Sequence, residues 1–237
     1  MMNLQPLHYL PLLTTTLSVY FFIYLYRRWA HSHDRAMLWW TLGILLYGLG
    51  TLTESLVTLL GNSIFLTKSW YLVGAILGAY PLAQGTVYLL MKRRNADRLT
   101  AVTLVFVAVA SILLILSPVK PELLPPDKPS GAILGWTWIR LLTPLINGYA
   151  AVFLVGGAAV SAIRFSRIPG MGVKAGGAAM IALGGLLPGI GGSLAKAGLV
   201  EGLYVGELIG LVFIIIGTTI YGRRQRKPET QQAVQLV

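Results

Sequence analysis

Seven long apolar stretches constrain the fold of this chain more than any other feature of its sequence. Lipid offers the backbone no hydrogen-bond partners, so each crossing segment is expected to be a helix of about 20 mostly apolar residues. With 55% hydrophobic residues, 11% charged residues and a mean hydropathy of +0.70, the sequence predicts an all-α, polytopic membrane protein, with one transmembrane domain over residues 1–222. The predicted helices lie near Tyr9–Tyr26, Met37–Leu59, Trp70–Met91, Leu99–Leu116, Ile133–Ile163, Gly176–Ala195 and Tyr204–Tyr221.

The distribution of charge predicts the orientation in the membrane. Of the 19 Lys and Arg residues, 14 lie after the first, third and fifth stretches or in the tail at 223–237, together with three acids, which gives 14 − 3 = +11. The opposite side balances five bases against five acids. The positive-inside rule then predicts a protein of the plasma membrane whose N-terminus lies outside the cell. The tail is predicted to be a short, disordered segment on the cytoplasmic side. Attraction to anionic lipid headgroups accounts for the excess of basic residues, so no nucleic-acid partner is expected.

A repeated phrase predicts an internal duplication. LGILLYGLG at 42–50 and LGGLLPGIG at 183–191 share six of nine residues, and glycines 74, 78 and 85 recur 132 positions later. This pattern favours a 3+1+3 parallel repeat, with repeat one at 8–94, a linking helix at 95–132 and repeat two at 133–222. The alternative is that glycine-rich helices pack closely without any duplication.

Two resemblances follow from these features. The 3+1+3 arrangement is similar to SWEET and PQ-loop transporters and to opsin-like proteins, although no helix has a Pro-Gln pair and the seventh has no lysine to hold retinal. WWTLGILLYGLGTLTESL and KSWYLVGAILGAYPLAQGTVYLL, in helices two and three, resemble the seven-helix sensory region of bacterial histidine kinases. The first resemblance implies transport and the second implies sensing.

Four charged residues near the outer third of the helices are candidates for a ligand site, because an ionisable group at membrane depth is costly. They are Glu54, Glu207, Lys196 and Arg140. The repeat alignment places Lys196 level with Ser55, next to Glu54, and therefore predicts that Lys196 faces Glu54. The alternative is that these side chains extend to water from the rim of the bundle.

Neutral polar residues and prolines complete the candidate set. Gln84 and Asn147 could bind a solute, or could only bond a neighbouring helix. Three prolines are expected to interrupt or kink their helices and to free carbonyl groups toward the interior. They are Pro81, Pro144 and Pro188.

The remaining residue types argue against an enzyme. Cysteine is absent, and the three histidines, at positions 8, 31 and 33, lie outside the middle of the membrane. A thiolate nucleophile, a haem or a metal centre is therefore not expected, and no cofactor is predicted. We expect a protein that binds or transports a small solute through an outward-facing polar vestibule. The alternative is a sensor-like or accessory subunit that acts through a membrane protein partner. The sequence is also compatible with a homo-oligomer.

Overall fold

The computed structural model describes residues 6–221, and the fold is a bundle of seven helices that are long and apolar enough to cross a membrane. They are α1 (Pro6–Ser32), α2 (Arg35–Leu60), α3 (Ile64–Leu90), α4 (Arg93–Leu116), α5 (Thr137–Ser166), α6 (Gly172–Lys196) and α7 (Val200–Tyr221). The predicted all-helical, multi-pass membrane protein is confirmed. The predicted tail at 223–237 lies outside the described residues.

Most helices extend further than their apolar stretches. α1 continues to Ser32, and α4 begins at Arg93 instead of near Leu99. Both extensions lie at the end of the bundle that carries the basic turns after α1, α3 and α5, which we call the basic end. Lys and Arg side chains can reach water from such a position, so hydropathy alone underestimated these helices.

The opposite end carries the segment 117–136 and is called the loop end. Asn62 holds this segment, because its Nδ2 donates to the carbonyl oxygens of Pro125 and Lys128, each at 2.7 Å. Lys68 Nζ donates to the carbonyl oxygens of Ile115 and Ser117 at 2.9 and 2.8 Å. A cation at this position satisfies carbonyl groups that the last turn of α4 leaves free. The loop is therefore attached to the first turns of α3.

Two of the seven helices are irregular within their length. In α3, a π-helical segment over Tyr71–Ile76 is followed by a break, and the α-helix resumes at Tyr80–Leu90 with Pro81 in its first turn. In α5, a 3-10 turn at Thr137–Leu141 precedes the α-helix, and Ala151–Gly156 is π-helical. The predicted interruption at Pro81 is therefore present.

The other two prolines behave differently from Pro81. Pro188 lies inside a helix that runs from Gly172 to Lys196, so the expected interruption there was wrong. Pro144 falls in the first turn of the α-helical part of α5, Leu142–Ala150, where a missing N–H costs no hydrogen bond. It therefore does not interrupt the middle of α5.

The helices α6 and α7 pack backbone against backbone through glycine. A Cβ atom added at Gly184 would lie 2.6 Å from the carbonyl oxygen of Gly210, and one added at Gly217 would lie 2.7 Å from that of Gly177. Contacts this close exclude every larger side chain. α4 is the most peripheral helix, since 17% of its most apolar 18-residue stretch is buried, against 56% for α3.

Candidate functional site

Two carboxyl groups meet inside the bundle, one from α2 and one from α7. Glu54 is 1% exposed, and its carboxyl group lies within hydrogen-bonding reach of that of Glu207. Glu54 lies six residues before the end of α2 at Leu60, which places it about 9 Å inside the bundle at 1.5 Å per residue. We call Glu54 and Glu207 the carboxyl pair.

Glycines in α2 and α3 explain why Glu54 has an aromatic neighbour. A Cβ added at Gly50 would lie 3.2 Å from the Cα atom of Gly74, so the two backbones approach closely at this level. Trp70 lies one turn before Gly74, and Glu54 one turn after Gly50. Trp70 Nε1 consequently donates to Oε1 of Glu54 at 2.7 Å.

The carboxyl pair has unused hydrogen-bonding capacity. Tyr47 of α2 donates to the backbone carbonyl oxygen of Glu207 at 2.7 Å, and thus binds α2 to α7 without engaging the Glu207 carboxyl group. The Oε2 atoms of Glu54 and Glu207 are buried and accept no hydrogen bond from any N–H or O–H group of residues 6–221. Because an unsatisfied buried polar atom is costly, this arrangement favours a bound proton or cation.

A buried tyrosine and a buried histidine lie between the carboxyl pair and the loop end. Tyr204 is 1% exposed, and its hydroxyl group has no partner among the described residues. The rings of Tyr204 and His8 meet edge to face with centroids 6.1 Å apart. His8 Nε2 lies 3.9 Å from Oε1 of Glu201, in the first turn of α7. Tyr204 and His8 therefore lie between the pair and the surface, and the Tyr204 hydroxyl group bonds neither the pair nor His8 in this arrangement.

Hydroxyl groups join α1 to α2 next to the carboxyl pair. Thr15 donates to Thr51 at 3.0 Å and lies 3.4 Å from the hydroxyl oxygen of Ser55, the residue that follows Glu54. Each of these side chains also bonds a carbonyl oxygen of its own helix. They fix the position of α1 against α2, and none is left free for a ligand.

The structure does not bring the predicted cations to the carboxyl pair. Lys196 and Arg140 are both exposed. The ion pairs within residues 6–221 are His8 with Glu201 and Arg35 with Asp97. The expected contact between Glu54 and Lys196 is therefore absent: α6 carries Lys196 to the loop end, but its side chain is exposed and makes no ion pair with Glu54.

Gln84 and Asn147 lie elsewhere as well. Gln84 is fully buried between α3, α4 and α5, where its Nε2 donates to Thr100 and its Oε1 accepts from Tyr149 at 2.6 Å. From Thr100 the hydrogen bonds continue through Tyr88 to Asp97 at the basic end. Asn147 is exposed on α5. The six predicted residues thus contribute only Glu54 and Glu207 to one cluster.

Sequence reasoning missed four of the residues around the pair. They are His8, Tyr47, Trp70 and Tyr204. Trp70 could have been found, because the spacing of Gly50 and Gly74 places it level with Glu54. His8 and Tyr204 lie near the starts of α1 and α7. Aromatic side chains are common there because they favour the membrane surface, so their presence did not indicate a site.

Within residues 6–221, no group of three or more His, Asp or Glu side chains could hold a metal ion. The cluster is instead a pair of acids with aromatic neighbours. Comparison of the chain with protein-family models, with characterised proteins and with solved structures finds no match. The function must therefore be inferred from the cluster itself.

Proposed function

We propose that this protein lies in the plasma membrane with its N-terminus and its loop end outside. The excess of bases at the basic end supports this orientation, because translocation of Lys and Arg is disfavoured. The natural absence of cysteine makes the orientation simple to test. A cysteine placed at Lys120, on the exposed loop, should react with a membrane-impermeant maleimide on intact cells. A cysteine at Asn95, exposed at the basic end, should react only after lysis, and the opposite pattern would reverse the orientation.

We also propose that α1–α3 and α5–α7 are parallel repeats with α4 as the link, because corresponding residues make corresponding contacts. A Cβ added at Gly43 would lie 2.6 Å from the side chain of Leu82 and 3.0 Å from its nitrogen. Gly184, 141 positions after Gly43, meets the side chain and nitrogen of Ile214 at 2.8 and 2.9 Å. Ile214 follows Leu82 by the helix-seven offset of 132.

A second pair of glycines supports the duplication in the same way. A Cβ at Gly85 would meet the side chain of Trp40, and one at Gly217 would meet the side chain of Ile181. The offsets are again 132 and 141 residues. The correspondence fails at Gly78, where α3 is interrupted, and returns at Gly74, which faces the Cα atom of Gly50 as Gly206 faces that of Gly191. Close packing of glycine alone would not reproduce the same partners at two fixed offsets.

For function, we propose that the protein binds or transports a small, positively charged solute at the carboxyl pair, which the solute reaches from the loop end. One observation carries this proposal: buried Glu54 and half-buried Glu207 lie against each other, each with a buried oxygen that no protein donor among residues 6–221 satisfies. A charge at this depth is retained for function more readily than for stability. Since no Lys or Arg of residues 6–221 makes an ion pair with these acids, the complementary ligand is a cation.

The burial of Glu54 is incompatible with a vestibule that is open in this structure. A side chain that is 1% exposed cannot line an open cavity, so the structure represents the closed arrangement of the proposed site. Access from the loop end then requires a rearrangement around Tyr204 and His8. Alternating closure of this kind is the usual behaviour of transport proteins built from repeats.

Thermal unfolding of the purified protein in mild detergent tests the proposal. The probes are the chlorides of sodium, potassium, magnesium, methylammonium and choline at matched ionic strength. At least one should raise the unfolding midpoint by about 2–4 °C or more, because a ligand that binds only the folded state stabilises it.

The matched variants are Glu207→Gln, which removes one member of the pair, and Glu122→Gln, which makes the same change on the exposed loop. The shift should disappear in the first and persist in the second. Absence of a shift with every probe, or an equal shift in both variants, contradicts the proposal. A stable protein partner in the purified sample would instead favour the accessory role.

A further inference from the structure

We infer that Glu54 and Glu207 share one proton when no cation is bound, that this proton exchanges with the outside by way of Tyr204 and His8, and that a bound cation displaces it. The inference rests on the proposed function and names the ion that would be coupled to it. It starts from the contact between the two carboxyl groups and from their unsatisfied Oε2 atoms.

Two carboxylates in contact cannot both stay ionised without a counter-charge, because their repulsion is strong where water is excluded. A single proton between them removes the repulsion and satisfies an oxygen of each group. The remaining charge is then one negative unit, which the N–H group of Trp70 stabilises at Oε1 of Glu54. One proton, and not two, is expected, because a pair that keeps one negative charge attracts a cation and a neutral pair does not.

The groups that face the pair from each packed element offer it no other counter-charge. From α2 and α7 these groups are the phenols of Tyr47 and Tyr204, and α3 contributes the indole of Trp70, which does not titrate. Tyr204 in turn is within electrostatic range of Asp127 in the loop and of Glu201. Acids and phenols therefore surround the pair, and no Lys or Arg among the described residues replaces the proton as its counter-charge.

The route outward follows from the two unpartnered groups beyond the pair. Tyr204 has a free hydroxyl group, and His8 has a buried Nδ1 atom without a partner. A hydroxyl group and an imidazole can each accept one proton and release another, so both can pass a proton along once the rearrangement of the site brings them within hydrogen-bonding distance. Neither is occupied by a competing side-chain hydrogen bond within the described residues. The Nε2 atom of His8 faces Glu201, whose side chain is 30% exposed.

The exchange is balanced in charge. A monovalent cation that enters the pair replaces one proton, which leaves through Tyr204 and His8 toward the side from which the cation came. Before the exchange, the two carboxyl groups and their shared proton carry one negative charge. Afterwards, two carboxylates and one monovalent cation also carry one negative charge, so the closed site has the same net charge in either state. A burial cost that is equal in the two states allows both to close.

Infrared difference spectroscopy tests the shared proton without any transport assay. The purified protein near neutral pH should show the band of one protonated carboxyl group, and Glu54→Gln/Glu207→Gln should lack it. Either single glutamine variant should shift or remove the band, because its carboxyl partner is gone. Glu122→Gln should leave it unchanged. Absence of the band in the wild type, or an unchanged band in both single variants, overturns the inference.

A second measurement separates this inference from the proposed function. The cation that gives the largest thermal shift is added to weakly buffered protein, and the released protons are counted with a pH dye. About one proton per bound monovalent cation is expected, because two acids in contact titrate as one unit. Cation binding without proton release leaves the function standing and rejects the coupling. If the pair is protonated but no probe cation binds, the shared proton is supported and the cation is rejected as the ligand.

Discussion

Gly184→Val should prevent α6 and α7 from packing, and should cause the largest loss of stability among single substitutions in this bundle. The first added carbon would lie 2.6 Å from the carbonyl oxygen of Gly210 and 2.9 Å from the nitrogen of Ile214. Backbone atoms cannot move aside as a flexible side chain can, so the helices must separate. Overpacking costs about 1–3 kcal/mol where side chains yield, and we expect more than this at Gly184.

The measurement is reversible unfolding in mixed micelles of mild detergent and sodium dodecyl sulfate. Gly189→Val is the matched control, because Gly189 lies on the same helix and has open space around its Cβ position. Gly43→Val, at the corresponding position of the first repeat, should have an intermediate effect, since the closest atoms there belong to the Leu82 side chain. Equal stability of the Gly184 and Gly189 variants would show that the close packing of α6 and α7 does not hold the fold.

The two members of the carboxyl pair are expected to act as one unit in transport. Proteoliposomes that contain Glu54→Gln or Glu207→Gln should each lose cation uptake by at least about 100-fold, or about 2.8 kcal/mol, because the bound cation loses one of its two counter-charges. The double variant should lose no more than about twofold beyond either single variant. Such non-additivity is the mark of residues in direct contact.

The same assay includes its own controls. Glu122→Gln should retain uptake within about twofold, because surface substitutions away from a site have small effects. Glutamine keeps the size of glutamate and the hydrogen bond from Trp70, so the variants should unfold at midpoints close to that of the wild type without ligand. If the losses of the two single variants multiply in the double variant, the carboxyl groups act separately and the shared site is wrong.

The fold was largely readable from the sequence, because the membrane imposes helices of a fixed length on apolar stretches. Hydropathy located all seven spans, yet it did not reveal that α3 breaks before Pro81 whereas α6 passes through Pro188 unbroken. Which proline interrupts a helix depends on the neighbours that satisfy the freed carbonyl group. That information lies in the packing.

The candidate site was predictable only in part, for a geometric reason. Counting residues at 1.5 Å per residue gives the depth of a side chain, and it placed Glu54, Glu207 and Lys196 at similar levels. It does not give the direction in which a side chain points around its helix. Lys196 therefore seemed a partner for Glu54 by level, whereas the face of α7 that carries Glu207 meets α2.

The attachment of the loop to α3 gives the carboxyl pair a mechanical connection to the loop end of the bundle. Asn62 and Lys68 hold the loop, and Trp70, two residues after Lys68, donates to Glu54. Tyr71, the next residue, bonds Thr143 of α5 at 2.9 Å, and a break after Ile76 separates this first part of α3 from Tyr80–Leu90. A displacement of the loop would therefore be felt, through Asn62 and Lys68, by the helical turn whose Trp70 bonds Glu54. An antibody fragment or another ligand that binds the loop would therefore act on the carboxyl pair without entering the membrane.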